Sequence, residues 1–156
     1  MMRLPILIAL LLATTACGES TAQPATPYWA TIKATKVNMR VGPSKEYKIE
    51  WVYERKGLPI KILRAKDDGW RFVEDHEGTQ GWVHRSMLSS DFGGLVIGKG
   101  VAAMRAEPAD NSALNWNLEP GVIGKLDGCD AGWCELDVEG RKGFVRADRL
   151  WGSGPP

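Results

Sequence analysis

Two cysteines near the end of the chain, Cys129 and Cys134, carry the most direct chemistry in the sequence. They enclose a four-residue turn, Asp130-Ala131-Gly132-Trp133. Cysteines on either side of such a turn can face each other across a hairpin, at Cα separations that suit a disulfide. A metal site would need about four ligands, and redox pairs usually enclose about two residues. Both remain alternatives, and we predict a structural disulfide with no metal and no cofactor.

The chain has two histidines, His76 and His84, as candidates for acid–base catalysis. His76 lies in a predicted hairpin turn, and His84 ends a predicted strand with its ring outward. Neither has a nucleophile nearby in sequence, and no glycine-rich phosphate loop or metal-binding helix motif occurs. Catalysis by residues distant in sequence stays open, but the pattern favours a protein that is not an enzyme.

Aromatic residues are the main candidates for ligand binding. Trp70 and Trp133 each begin a predicted strand, at positions that alternate with the apolar Val73 and Leu136. The indole rings are therefore expected to point away from the core and towards the loops. Rings that cap a small core or seal a domain junction are the alternative. The candidate ligand-binding residues are Trp70, Arg40, Trp51, Tyr53, Trp82 and Trp133.

Arg40 and Arg105 occupy matching outward positions of two predicted strands. A guanidinium there would bind a carboxylate of a ligand, or pair with a nearby acidic side chain. Pairing is the expectation we favour.

The N-terminus has the pattern of an export signal. Arg3 precedes an apolar run at residues 4–13 that is too short to span a bilayer. Residues 1–17 are therefore predicted to be a signal peptide, ending in a lipobox-like segment with Cys17 as the lipidation site. Ordinary cleavage after Ala22 is the alternative. Residues 18–28 are predicted to be a flexible tether, and the protein is expected in the periplasm, attached to a membrane only through Cys17.

The charge balance argues against nucleic acid as a partner. The formal net charge is +1, which leaves no basic surplus for a phosphate backbone. Residues 29–90 hold 12 Lys and Arg against 8 Asp and Glu, whereas residues 91–152 hold 7 against 10. The opposite signs would help the two halves dock, with scattered surface charge as the alternative, and a monomer is expected.

The two halves repeat one another. Met39-Arg40 matches Met104-Arg105, Gly69-Trp70 matches Gly132-Trp133, and Ile32 is matched with Ile97. Alternating apolar residues and glycine-bearing turns predict short strands in both copies. The copies are predicted as all-β units at residues 29–91 and 92–152, each a small closed barrel. Residues 85–88 and 147–150 are each predicted to form one 3₁₀ turn.

These motifs give the chain a family resemblance. Asn38-Met39-Arg40-Val41-Gly42-Pro43, Gly69-Trp70 and Gly81-Trp82-Val83 resemble the bacterial SH3 domain. The Cys129–Cys134 turn and Trp151-Gly152 are similar to the second copy of twin-domain exported proteins in that family. The resemblance implies two tandem SH3-like barrels that bind extended chains along an aromatic groove. It implies peptidoglycan or an envelope protein as the partner, with an assembly factor lacking glycan affinity as the alternative.

Overall fold

The computed structural model describes residues 23–156. The predicted signal peptide, Cys17 and the first part of the predicted tether lie outside these residues. Among the described residues, no helix is long and apolar enough to cross a membrane.

The first barrel is one antiparallel sheet of seven strands. The strand order across the sheet is β3-β2-β6-β5-β4-β1-β7, and a 3₁₀ helix, η1 (Arg85–Met87), precedes the last strand. The strands are β1 (Tyr28–Ile32), β2 (Val37–Arg40), β3 (Ile49–Tyr53), β4 (Pro59–Ala65), β5 (Trp70–Glu74), β6 (Gln80–His84) and β7 (Leu88–Ser89).

The second barrel repeats this topology. Its strand order, β10-β9-β13-β12-β11-β8-β14, is the same order seven strands later, and η2 (Ala147–Arg149) precedes the last strand. The strands are β8 (Gly93–Val96), β9 (Ala102–Arg105), β10 (Leu114–Leu118), β11 (Ile123–Asp130), β12 (Trp133–Val138), β13 (Arg141–Arg146) and β14 (Leu150–Trp151). The all-β architecture of two SH3-like units and both 3₁₀ turns are therefore confirmed.

Each core forms on the concave side of its own sheet. In β2, Val37 and Met39 are buried while Asn38 and Arg40 are partly exposed, as the period of a strand requires. Val73 and Val83 are fully buried between β5 and β6 in the same way. Leu136 and Val145 occupy the equivalent positions in the second barrel.

A glycine faces a methionine in both cores. A Cβ at Gly81 would lie 2.6 Å from Met39 Cγ, and a Cβ at Gly143 would lie 2.6 Å from Met104 Cγ. No side chain fits at that separation, so the repeated glycine is required by close packing of the neighbouring strand.

The structure corrects one of the predicted repeat matches. The Ile32 carbonyl accepts a hydrogen bond from the Gly57 N–H group, and the Val96 carbonyl accepts one from the Gly121 N–H group. Ile32 is therefore equivalent to Val96, and the match with Ile97 is wrong by one residue. The second copy has one additional residue between β8 and β9, so Met104 lies 65 residues after its match, Met39. The one-residue difference matters because a shift of one residue moves every side chain of a strand to the opposite face.

The two copies close the same hairpin by different means. The β11–β12 hairpin carries the predicted disulfide, Cys129–Cys134, with a Cα–Cα distance of 4.0 Å. In the first barrel the equivalent pair across the hairpin is Ala65 and Arg71. Arg71 Nη1 donates to the Lys66 carbonyl at 2.9 Å, so a side-chain hydrogen bond stands where the second barrel has a covalent bond.

The barrels meet through aromatic packing. The rings of Trp29 and Trp151 lie edge to face with centroids 5.0 Å apart, and Trp151 Nε1 donates to the Pro59 carbonyl at 3.3 Å. Arg55 donates to the Gly121 carbonyl across the junction. The ion pairs among residues 23–156 all lie within one barrel or the other. The sequence predicted that opposite charges would help the two halves dock, but no ion pair among residues 23–156 joins the two barrels.

Removal of the disulfide is expected to weaken the second barrel. Because a bridge across so short a loop restricts the unfolded chain only modestly, Cys129→Ala with Cys134→Ala should lower the free energy of unfolding by roughly 2 kcal/mol. Urea unfolding followed by circular dichroism measures the change, and reduced wild-type protein should match the double variant. Unchanged stability after reduction would contradict this role.

Candidate functional site

A row of four side chains crosses one face of the first barrel. Arg40 on β2 is paired with Trp82 on β6, Trp82 with Phe72 on β5, and Phe72 with Arg64 on β4. Cross-strand partners share a face of the sheet, and Val73 and Val83 point the other way into the core. Arg40, Trp82, Phe72 and Arg64 are called the basic–aromatic row below.

The centre of the basic–aromatic row is a stacked cluster. The guanidinium carbon of Arg64 lies 4.3 Å from the centre of the Phe72 ring and 5.5 Å from that of Trp82. The two rings are 5.2 Å apart. Both rings are half-buried and Arg64 is exposed, so the cluster offers ring edges and a guanidinium to a ligand.

Arg40 does not form the predicted ion pair within the described part of the chain. Its Nη1 donates to the Tyr47 carbonyl at 2.6 Å, and Arg105 donates to the Ser112 carbonyl at 2.7 Å. Among residues 23–156 neither arginine forms an ion pair. The favoured expectation of pairing with an acid is therefore wrong, because each guanidinium instead holds the loop between its strand and the next.

The equivalent face of the second barrel has the opposite character. The positions that match Trp82, Phe72 and Arg64 are occupied by Phe144, Glu135 and Gly128. Loss of the stacked arginine leaves a cavity of about 480 Å³, whose walls include Glu135 and Asp130.

Asp127 adds a third carboxylate to the wall of that cavity. Lys142 donates to Asp127 at 3.0 Å, and this hydrogen bond lowers the pKa of the Asp127 carboxyl. The Asp127 carboxylate is balanced by Lys125 and Lys142. Asp130 and Glu135 form no ion pair among residues 23–156, so these two side chains give the face its acidic character.

Trp70 and Trp133 face away from the core but are covered. Trp70 is 9% exposed, because the ring of His84 packs edge-on at 5.5 Å. Trp133 is 6% exposed, beneath the guanidinium of Arg146 at 4.5 Å. The predicted direction of both rings agrees with the structure, but their faces are not open to a ligand.

Tyr53 is a buried structural residue. Its hydroxyl donates to Asp75 Oδ2 at 3.0 Å, while Asp75 Oδ1 accepts from the backbone N–H groups of Glu77 and Thr79. Burial, together with the Asp75 carboxylate, raises the pKa of the Tyr53 hydroxyl. Its burial is incompatible with the predicted stacking on a ligand, and it closes one end of the first core.

Trp51 is the predicted aromatic that the structure leaves most open. It is 50% exposed on β3, an edge strand of the sheet. Ile49 on the same strand is exposed and pairs with Arg40, whereas Trp51 pairs with Met39 across a register shift. Ile49 therefore continues the basic–aromatic row, and Trp51 does not. Leu114 and Trp116 repeat the pattern on β10.

Phe72 and Arg64 were not singled out from the sequence. Phe72 lies at the same parity as Trp70 in β5, so alternation alone places it on the outer face. Its contact with Arg64 depends on a register shift between Ile62 and Arg64, and no local pattern reveals that shift.

Replacement of Arg64 should uncover the row without unfolding the barrel. Arg64→Met keeps the aliphatic stem and removes an exposed cation–π contact, so stability should fall by less than about 1 kcal/mol. Fluorine NMR of 5-fluorotryptophan-labelled protein should show a shifted Trp82 resonance.

Arg141→Met is the matched control, because Arg141 lies 5.2 Å from the Trp116 ring. It should shift the Trp116 resonance and leave Trp82 in place. An unmoved Trp82 resonance in Arg64→Met would show that the row is not stacked in solution.

The solved structures that overlap with this chain include three proteins of the NlpC type. Two are NlpC2 and NlpC1 from Trichomonas vaginalis, at 13% and 14% identity, covering 84% and 92% of this chain, each with a TM-score of 0.37. The third, an NlpC/P60 family protein from Bacillus cereus, is 12% identical over 80% of this chain, with a TM-score of 0.37. The chain spans 50%, 51% and 56% of their respective lengths. At such TM-scores the overlap supports no conclusion about this chain.

The family itself follows from the sequence motifs. No curated protein matches the chain significantly. The family model described as the bacterial SH3 domain matches twice, at residues 33–90 and 98–152. The two matches fall on the two barrels and cover most of the chain. This protein therefore belongs to the bacterial SH3 domain family, with two copies of the domain in tandem.

Proposed function

We propose that the protein is a non-catalytic, exported binding module of the cell envelope that recognises peptidoglycan through its first barrel. The observation that carries the proposal is the basic–aromatic row, which the second barrel lacks. The two barrels share the same core positions but differ on this outer face, which indicates that the outer face of the first barrel is specialised.

The row matches peptidoglycan in its chemistry. The exposed edges of half-buried rings such as Phe72 and Trp82 give an apolar contact for sugar rings. A guanidinium such as Arg64 pairs with a carboxylate, and can do so through two hydrogen bonds. Peptidoglycan presents sugar rings and peptide carboxylates side by side, so one ligand can use both parts of the row.

Charge explains why the first barrel is the binding copy. Residues 29–90 carry a balance of +4, from 12 basic and 8 acidic side chains, whereas residues 91–152 carry −3, from 7 and 10. Asp127, Asp130 and Glu135 line the corresponding cavity of the second barrel. An anionic ligand is attracted by the first face and repelled by the second.

The disulfide supports the exported location. Bridges of this kind persist in oxidising compartments and are rare in the cytosol, and Cys129–Cys134 is formed in the structure. Together with the predicted signal peptide, it supports a periplasmic protein.

Co-sedimentation with purified sacculi tests the proposed function. The folded mature protein should be retained, and Arg64→Glu should lower retention at least tenfold because it reverses the charge at the centre of the row. Arg141→Glu is the matched control, since it removes the arginine that stacks on Trp116 in the second barrel, and it should bind like wild type. Equal losses in the two variants, or no retention of wild type, would contradict the proposal.

The alternative is an assembly factor with a protein partner, and the exposed sheet edges favour it. Ile49-Trp51 on β3 and Leu114-Trp116 on β10 place apolar side chains on edge strands. Edge strands also present unpaired backbone groups to a partner strand. Wild-type protein should then capture one dominant crosslinked partner in cells without being retained by sacculi, and Trp51→Ala with Trp116→Ala should abolish that crosslink.

Lipidation of Cys17 is the second part of the proposed location. Mass spectrometry of the mature protein should show an N-terminal cysteine with attached acyl chains, and Cys17→Ala should move the protein from the membrane fraction to the soluble fraction. A mature N-terminus at Gln23 would instead establish a soluble periplasmic protein.

A further inference from the structure

A cavity of about 400 Å³ opens beside the start of β1, away from the basic–aromatic row. Its walls are mostly apolar and aromatic, and Tyr28, Trp29, Leu88 and Phe92 contribute to them. Phe92 is 59% exposed, an unusual state for a phenylalanine at the junction of two domains. The volume is in the range that small ligands and peptide ends occupy.

A buried positive charge, Arg71, lines this cavity. The residue is 5% exposed, and its hydrogen bonds go to neutral acceptors. Nε donates to the Tyr28 hydroxyl at 3.0 Å, and Nη1 donates to the carbonyls of Lys66 and Trp70 at 2.9 and 3.1 Å. Nη2 donates no hydrogen bond within residues 23–156.

The charge of Arg71 is not balanced by the described part of the chain. No carboxylate lies within ion-pair distance of it among residues 23–156. A guanidinium does not lose its proton in proteins, and a buried charge without a partner is costly. Arg71 holds the β4–β5 hairpin through Nη1 alone. This structural role does not explain why a positively charged side chain is buried at this position.

A second guanidinium lies at the same cavity. Arg85 in η1 is exposed and lines the wall with Arg71, and the lining described for the cavity includes no Asp or Glu. Two guanidinium groups against an apolar wall suit one carboxylate attached to an apolar body.

The sheet edge at the cavity favours a peptide as the bearer of that carboxylate. β1 pairs with β4 from Tyr28 to Thr31, but with β7 only at Thr31 and Ile32. The first half of β1 therefore has a free edge on the side of β7, and Trp29, Ala30 and Ser89 line the cavity there. An extended peptide can add backbone hydrogen bonds to such an edge.

We propose that this cavity binds the free C-terminal carboxylate of a peptide that ends in an apolar residue. The carboxylate pairs with Arg71 and Arg85, and the last side chain packs against Trp29 and Phe92. The site is separate from the basic–aromatic row, and the inference does not rest on the proposed function.

Isothermal titration calorimetry with the mature protein tests the site, with acetyl-Ala-Ala-Leu as the probe and its C-terminal amide as the matched control. The acid should bind at least tenfold more tightly than the amide, because the amide has no charge to pair with the guanidinium groups. Equal affinities, or no binding of the acid at millimolar concentration, would overturn the proposal. Competition by inorganic phosphate as effective as the peptide acid would assign the site to phosphate and also overturn it.

Substitutions of the arginines test whether the peptide binds in this cavity. Arg71→Met should abolish binding of the acid and Arg85→Met should weaken it severalfold. Arg141→Met, which lines neither this cavity nor the basic–aromatic row, should bind as wild type does. Thermal unfolding shows whether each variant is folded. If Arg71→Met does not fold, the proposal is tested by Arg85→Met and by the comparison of the peptide acid with its amide. Binding that Arg64→Met abolishes and Arg85→Met leaves unchanged would place the peptide on the row and reject the cavity.

Discussion

The packing of Trp29 against Trp151 is the contact on which the arrangement of the two barrels depends. Lys61 Nζ lies over both rings, at 5.6 and 5.1 Å from their centres. Gly152 follows Trp151 with a φ of +98°, and a Cβ there would collide with the Gly93 carbonyl, so only glycine lets the chain pass so close. Leu95 of the second sheet is buried in the core cluster of the first barrel. The first barrel therefore completes its core with residues of the second, which helps a unit near the lower size limit for independent folding, whereas the second core is built from its own strands.

Two copies of one topology present different outer faces because inner and outer positions of a strand are chemically independent. Met39 and Met104 stand against matching glycines inside, whereas Phe72 and Arg64 outside correspond to Glu135 and Gly128. Duplication preserves the packing that holds the sheet together and leaves the exposed row free to change.

Much of the fold, and less of the site, was predictable from the sequence. Alternation in β2 and the glycine-bearing turns predicted short strands, and the four-residue spacing of Cys129 and Cys134 predicted their bridge, because each depends on neighbours in the chain. Tyr53 and Trp70 could not be judged in this way, since their burial depends on Asp75 and His84, which other strands bring to them. Arg40 was assigned an ionic partner, but its acceptor is a carbonyl made available by the path of a loop.

The sequence by itself determined the class of the fold, the duplication, the disulfide and the membership of the bacterial SH3 domain family. These depend on periodicity and on motifs of a few residues, which act through local geometry. The tertiary structure alone decided which aromatic rings are open, which row crosses the sheet, and that Arg71 lies buried beside an apolar cavity. Such features depend on strand register and on contacts between residues far apart in the chain, such as Tyr28 with Arg71. A shift of one residue in register would exchange the inner and outer faces, so no local pattern could have determined them.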